Sequence, residues 1–133
     1  MITEDYVSFE TAKLLKEKGF DENISVNYFV GDDKPRRCVI GEIIYHKMVG
    51  NDTHLIACPT LQMAMKWLRE EYNCHICVQA LITTFGLQGY CPFYAKIGGA
   101  FMWQNALGDD YATAPTYEEA CEAAIKYCLE NLI

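Results

Sequence analysis

Seven cysteines and three histidines have the widest chemical reach in this 133-residue sequence, since thiolate and imidazole groups bind zinc, exchange disulfides and attack electrophiles. Their one local pattern is Cys74-His75-Ile76-Cys77, whose Cys-x-x-Cys spacing suits zinc or dithiol redox chemistry. Redox pairs open a helix, whose N-terminus lowers the thiol pKa. Here the pair opens a β-branched apolar run that reads as a strand, and strand residues three apart point to opposite faces. A second Cys-x-x-Cys is absent, so zinc would need His46, His54 or Cys58 from elsewhere in the chain. No metal and no cofactor are therefore expected. The cysteines read as reduced thiols acting as small hydrophobes, Cys121 and Cys128 within the apolar stripe of a helix. His46, His54 and His75 stand apart, and no Gly-rich loop precedes a helix to cradle phosphate. The expectation is a non-catalytic protein, with a Cys/His metal site or enzyme as the lesser alternative.

Binding chemistry is concentrated instead around Gly98-Gly99. Two glycines between strand-like runs suit a two-residue hairpin loop, because both positions need positive φ. That loop pairs Ile97 with Ala100, Lys96 with Phe101, Ala95 with Met102, Tyr94 with Trp103, and Phe93 with Gln104. Alternation then puts Cys91, Phe93, Ala95, Ile97, Ala100, Met102 and Ala106 on a small apolar face suited to lying under helices. Tyr90, Tyr94, Lys96, Phe101, Trp103, Asn105 and Leu107 fall on the other face. Tyr and Trp are frequent anchors of protein contacts. This aromatic sheet face is the expected surface for a protein partner, and a second core covered by the early strands is the plainer reading of it. A third reading makes it a pocket whose rings stack a planar anionic ligand such as a nucleotide, with Arg36 and Arg37 supplying charge. Beside Asp32 and Asp33, the cluster Lys34, Arg36 and Arg37 also reads simply as a solvated loop.

The elements that must position these residues are legible from pattern. Residues 9–18 form a first helix capped by Ser8 and stopped by Gly19, with Phe9, Ala12 and Leu15 as its apolar stripe and Phe20 folding back on its last turn. Its opening also echoes helix-turn-helix modules, but no basic recognition helix follows. Residues 23–30 and 37–49 read as strands around the turn cluster Gly31-Asp32-Asp33-Lys34-Pro35, and 54–58 as a further short strand. A second helix, 61–72, is capped by Thr60 and apolar over a wide arc that includes Met63 and Trp67, which calls for cover on more than one side and makes self-association an expectation. Residues 74–85 form a strand with Cys74, Ile76, Val78, Ala80, Ile82 and Thr84 toward the core, and Gly86-Leu87-Gln88-Gly89 interrupts the chain. Thr116-Tyr117-Glu118-Glu119 is a capping box for a third helix, whose apolar positions from Tyr117 to Leu129 recur at three and four. All three helices begin Ser/Thr-x-x-x-Ala, which capping and close packing account for without an internal repeat. The expected fold is a single α+β domain over residues 1–133, with one antiparallel sheet of about four to six strands and three helices mainly on one face, in the order α-β-β-α-β-β-β-α.

Hydrophobic residues are 51% of the chain and charged residues 22%, which excludes wholesale disorder. A net charge of −7 argues against duplex nucleic acid as a partner. The first residues carry no signal-peptide pattern and no apolar run spans a bilayer, so a cytoplasmic protein without membrane partners is expected. Three stretches, Tyr6-Val7-Ser8-Phe9-Glu10 through Gly19-Phe20, Pro59-Thr60-Leu61 through Arg69-Glu70, and Thr116-Tyr117-Glu118-Glu119-Ala120 to the end, resemble a group of small uncharacterised accessory proteins of gut-bacterial chromosomes and prophages. The resemblance is confined to the helical segments. It implies an accessory role for a mobile element or its host, acting by blocking a partner or sequestering a signal molecule, and it transfers no site residues.

Overall fold

The computed structural model describes residues 2–29, 34–37, 55–98 and 102–133. The chain divides into two compact units, 1–60 and 61–133, and among the described residues each has its own three-stranded antiparallel sheet.

The first unit opens with α1 (Phe9–Glu17), and its ends are set by local chemistry. Ser8 Oγ accepts the Thr11 amide at 3.2 Å, which satisfies a donor that the first turn leaves open. At the other end Gly19 takes φ 101°, its N–H bonds Lys16 O at 3.1 Å, and Phe20 N–H bonds Leu15 O at 2.9 Å. These two bonds make a Schellman motif and bury Phe20 as expected. In the sheet, β1 (Val26–Phe29) is central, flanked by β2 (Arg36–Arg37) and β3 (Leu55–Ala57). The short strand expected at 54–58 is thus present as β3. The N-terminal segment is tied in by Tyr28 Oη, which donates to Val7 O at 2.8 Å while its ring meets Phe9 edge-on at 5.4 Å. The expected strand over 37–49 and most of the turn before it lie outside the described residues, as do Cys38, His46 and His54.

The second unit runs α2 (Leu61–Tyr72), β4 (Cys74–Thr83), β5 (Gly86–Lys96), β6 (Gln104–Asn105) and α3 (Tyr117–Asn131). Asn73 leaves α2 in the left-handed region at φ 55°, a conformation asparagine tolerates well, and its carbonyl accepts Ile97 N–H. Thr116 Oγ1 accepts the Glu119 amide at 3.1 Å, the hydroxyl half of the expected capping box. Leu68, Ala120, Cys121, Ala124, Ile125, Cys128 and Leu129 are fully buried. Met63 remains exposed, and Trp67 packs edge-on against Tyr72 at 5.2 Å. No helix among the described residues is long and apolar enough to cross a membrane.

The α+β class holds, with three helices and antiparallel pairing among the described residues, and three finer expectations are corrected. The single sheet is replaced by two among the described residues, β2-β1-β3 in the first unit and β4-β5-β6 in the second. The break expected at 86–89 is instead part of the ladder. β4 and β5 pair from Cys74↔Lys96 to Thr83↔Gly86, with a register shift between Leu81 and Ile82 that leaves Gln88 as the extra residue of a β-bulge.

The third correction concerns the hairpin offset. Tyr94 pairs with Gln104 and Phe93 with Asn105, one residue away from the register that a two-residue Gly98-Gly99 loop would impose. Pro92 accounts for the short reach of β6. Ala106 N–H donates to Pro92 O at 2.8 Å, and the return bond of that pair is impossible because proline has no N–H. The ladder therefore stops after Asn105, and Met102 and Trp103 precede it.

Candidate functional site

The register of β4 and β5 decides which β5 side chains the helices cover. Directly opposed residues share a face, so Ile76↔Tyr94, Ala80↔Tyr90 and Cys74↔Lys96 place Tyr90, Tyr94 and Lys96 on the side occupied by α3. Tyr94 is 8% exposed and stacks on Tyr127 of α3, with ring centroids 4.6 Å apart and planes at 27°. Tyr90 meets Tyr117 edge-on at 6.0 Å. Lys96 Nζ donates to Leu132 O beyond the end of α3, where the helix dipole favours a cation. The expectation that this face turns away from the helices is overturned.

The physical reason lies in α3. Its buried side combines Ile125 and Leu129 with the small Ala120, Cys121, Ala124 and Cys128, and the small positions leave room for rings from the sheet beneath. The expected core side of β4 holds for Cys74, Ile76, Val78 and Ala80, which share the face of these rings, but not for Ile82 and Thr84, which are exposed beyond the register shift.

Other expected site residues are placed as follows. Trp103 is half exposed and lies in the segment before β6. Phe101 is outside the described residues. Arg36 and Arg37 are exposed on β2 of the first unit, where the Arg36 guanidinium lies 5.8 Å from the Phe29 ring centroid.

Sequence reasoning missed the role of Asn105, which it grouped with the aromatic face. Asn105 is buried and ties the next seven residues to the sheet. Its Nδ2 donates to Ala112 O at 2.8 Å, its Oδ1 accepts Leu107 N–H at 2.9 Å, and its carbonyl accepts Gly108 N–H at 3.0 Å. Ala114 then exchanges two backbone hydrogen bonds with Tyr90, at 2.9 and 2.8 Å. The segment so fixed displays Leu107 and Tyr111, with Met102 and Trp103 just ahead of it, all exposed. The sequence signal was a single Asn ahead of the turn residues Gly108-Asp109-Asp110, a pattern that favours Asx-type bonding.

Between this segment and α3 lies a cleft of about 390 Å³. Tyr94 and Tyr127 contribute rings, Gln104 and Asn105 amides, Ala106 and Gly108 small residues, and Asp110 a carboxylate. Tyr94 Oη donates to Gln104 Oε1 at 2.7 Å, which meets the hydrogen-bonding need of a buried tyrosine and orients the amide. Burial is the main cause that pushes the Tyr94 hydroxyl up to about 12, with Tyr127 adding to it. The Tyr94 hydroxyl is therefore neutral at physiological pH. No cationic side chain lines the cleft, so its charge is opposite to what an anionic ligand needs.

The thiols divide by exposure. Cys74 and Cys77 diverge as strand geometry requires, the first buried and the second exposed. Cys58, Cys91, Cys121 and Cys128 are buried as well. Burial pushes Cys121 up to about 11 and Cys128 up to about 12. Two consequences follow for measurement. At pH 8 in the native state a thiol reagent should label Cys77 fast and these five buried cysteines only on unfolding, as read by mass spectrometry of digested protein. Stability should be insensitive to these thiols below their unfolded pKa near 9 and should fall as pH rises from there toward 12, because the unfolded chain releases the protons first. Denaturant titrations at pH 8 and pH 10.5 check this, and Cys121→Ala should flatten part of the slope.

Compared with protein-family models, curated proteins and solved structures, the chain matches none of them.

Proposed function

We propose that the chain is a non-catalytic binding module that contacts a protein partner through the apolar segment around β6. The observation that carries this reading is the exposure of four large apolar side chains within ten consecutive residues: Met102 at 75%, Trp103 at 51%, Leu107 at 44% and Tyr111 at 78%. Single exposed hydrophobes are ordinary, whereas a run of them next to a segment tied to the sheet through Asn105 and Ala114 offers a partly pre-ordered contact and less ordering entropy to lose on binding. Of the aromatic residues expected to form the surface, Trp103 keeps that role in the proposal. Tyr90, Tyr94 and Lys96 serve instead as the support beneath α3. The helical segments that resemble mobile-element accessory proteins are consistent with such a role. The six described thiols, none of them in a disulfide, fit a cytoplasmic setting.

The test compares two variants whose effects should separate. Trp103→Ala should weaken partner capture from the source cells by about 2 kcal/mol, roughly thirtyfold, with the melting temperature unchanged. Tyr94→Ala should lower the melting temperature, because it removes a buried ring and leaves Gln104 without its donor. Self-association belongs to the same test. If light scattering shows a dimer that Trp103→Ala dissociates, the partner is a second copy. If Trp103→Ala captures as well as the parent protein, the reading fails.

A further inference from the structure

The cleft beside the stacked tyrosines has a charge pattern that selects its occupant. Asp110 carries the only formal charge among its seven lining residues, and Asp109 adjoins it. Asn105 Nδ2 approaches the Asp110 carbonyl at 3.5 Å, and so engages its backbone and not its carboxylate. The other polar groups are the Tyr127 hydroxyl and the amides of Gln104 and Asn105, while the half-buried Tyr127 ring, stacked on the buried Tyr94, supplies flat, electron-rich surface. An anion meets repulsion here, on a chain whose net charge is −7. A cation meets a carboxylate and aromatic rings, the two groups that stabilise positive charge outside a metal site.

We propose that this cleft binds a guanidinium group. A guanidinium is planar and weakly hydrated, stacks on an aromatic ring, and presents a fork of N–H donors to a carboxylate. An ammonium is a compact, strongly hydrated point charge and makes poorer use of the rings. The source of the group is either a small free guanidine or an arginine side chain, and the chemistry recognised is the same. This inference does not depend on the protein-partner reading, because the site can be titrated with small molecules alone.

The experiment is an amide-resolved NMR titration of the full chain with butylguanidinium, butylammonium, uncharged butylurea, and the blocked tripeptide acetyl-Gly-Arg-Gly-amide. Butylguanidinium or the tripeptide should shift the amides of residues 104–110 and 127, binding about tenfold more tightly than butylurea and more tightly than butylammonium. Tighter binding of the tripeptide assigns the cleft to arginine side chains, and tighter binding of butylguanidinium to a free guanidine. Asp110→Asn should weaken binding about tenfold, and added salt should weaken it too. Tyr127→Phe, which keeps the ring, should bind nearly as well as the parent, whereas Tyr127→Leu should not. The proposal is overturned if no shift occurs at roughly 10 mM ligand, if butylurea or butylammonium matches butylguanidinium, or if Asp110→Asn leaves affinity unchanged.

Discussion

Gly89→Ala is expected to destabilise the second unit by about 3 kcal/mol, through a contact that no other described glycine makes. Gly89 sits at the β-bulge of β5 with φ 145°, a conformation rarely adopted by residues with a Cβ. A Cβ there would lie 2.7 Å from Thr113 Cβ, 2.8 Å from Thr113 Oγ1 and 2.9 Å from the Ala114 carbonyl oxygen. Two of these atoms belong to the start of a side chain or to backbone and cannot swing aside. Relief would require residues 113–114 to move off the strand, which breaks the reciprocal pair between Tyr90 and Ala114. Gly86→Ala is the control. Gly86 has a similar positive φ of 105° but open space around the added carbon, so it should lose only the backbone component, about 1 kcal/mol. Urea titrations of the two variants measure the difference. Adding Thr113→Gly to Gly89→Ala removes two of the three close atoms and should restore part of the loss. Equal stabilities of Gly86→Ala and Gly89→Ala would mean that residues 113–114 do not lie against the bulge.

The same region marks where sequence reasoning reaches and where it stops. The ends of α1 and α3 are legible because their causes are local: Ser8, Gly19 and Thr116 each act on backbone groups within a few residues. The sidedness of β4 is legible as far as Ala80, where one face is the more apolar, and is lost at Ile82, past the register shift. For β5, alternation separates two faces correctly but cannot say which one α3 covers. That choice depends on the volume α3 brings, and the clue was its run of alanines and cysteines, which leaves room for tyrosines. The offset between β5 and β6 was misread because Gly98-Gly99 was weighed as a turn signal alone. Pro92, six residues earlier, sets a different feature, the length of the ladder, by lacking a donor. The arginines expected near the rings belong to β2 of the first unit, and no short-range pattern reports which unit a residue joins. Of the candidate site, the residue types were therefore legible, and their neighbours were not.

Asn105→Ala should cost about 2 kcal/mol in stability and should also weaken partner capture, although Asn105 itself is buried and touches no partner. The side chain is an inner tie. Its removal leaves the Leu107 amide and the Ala112 carbonyl without their bonds, at 2.9 and 2.8 Å in the native protein. The segment that displays Leu107 and Tyr111 then has fewer restraints, and the entropy of ordering it moves from folding to binding. Hydrogen exchange separates the two effects. The Leu107 amide should lose protection in Asn105→Ala, while amides in the centre of α3, which depend on Ile125 and Leu129 packing, should lose only what the global stability loses. Asn105→Asp gives an intermediate comparison: it retains the acceptor for Leu107 N–H and loses the donor to Ala112 O. If Asn105→Ala lowers stability yet captures partner as well as the parent protein, the pre-ordered segment is not what the partner contacts, and Trp103 must act from the residues ahead of β6 alone.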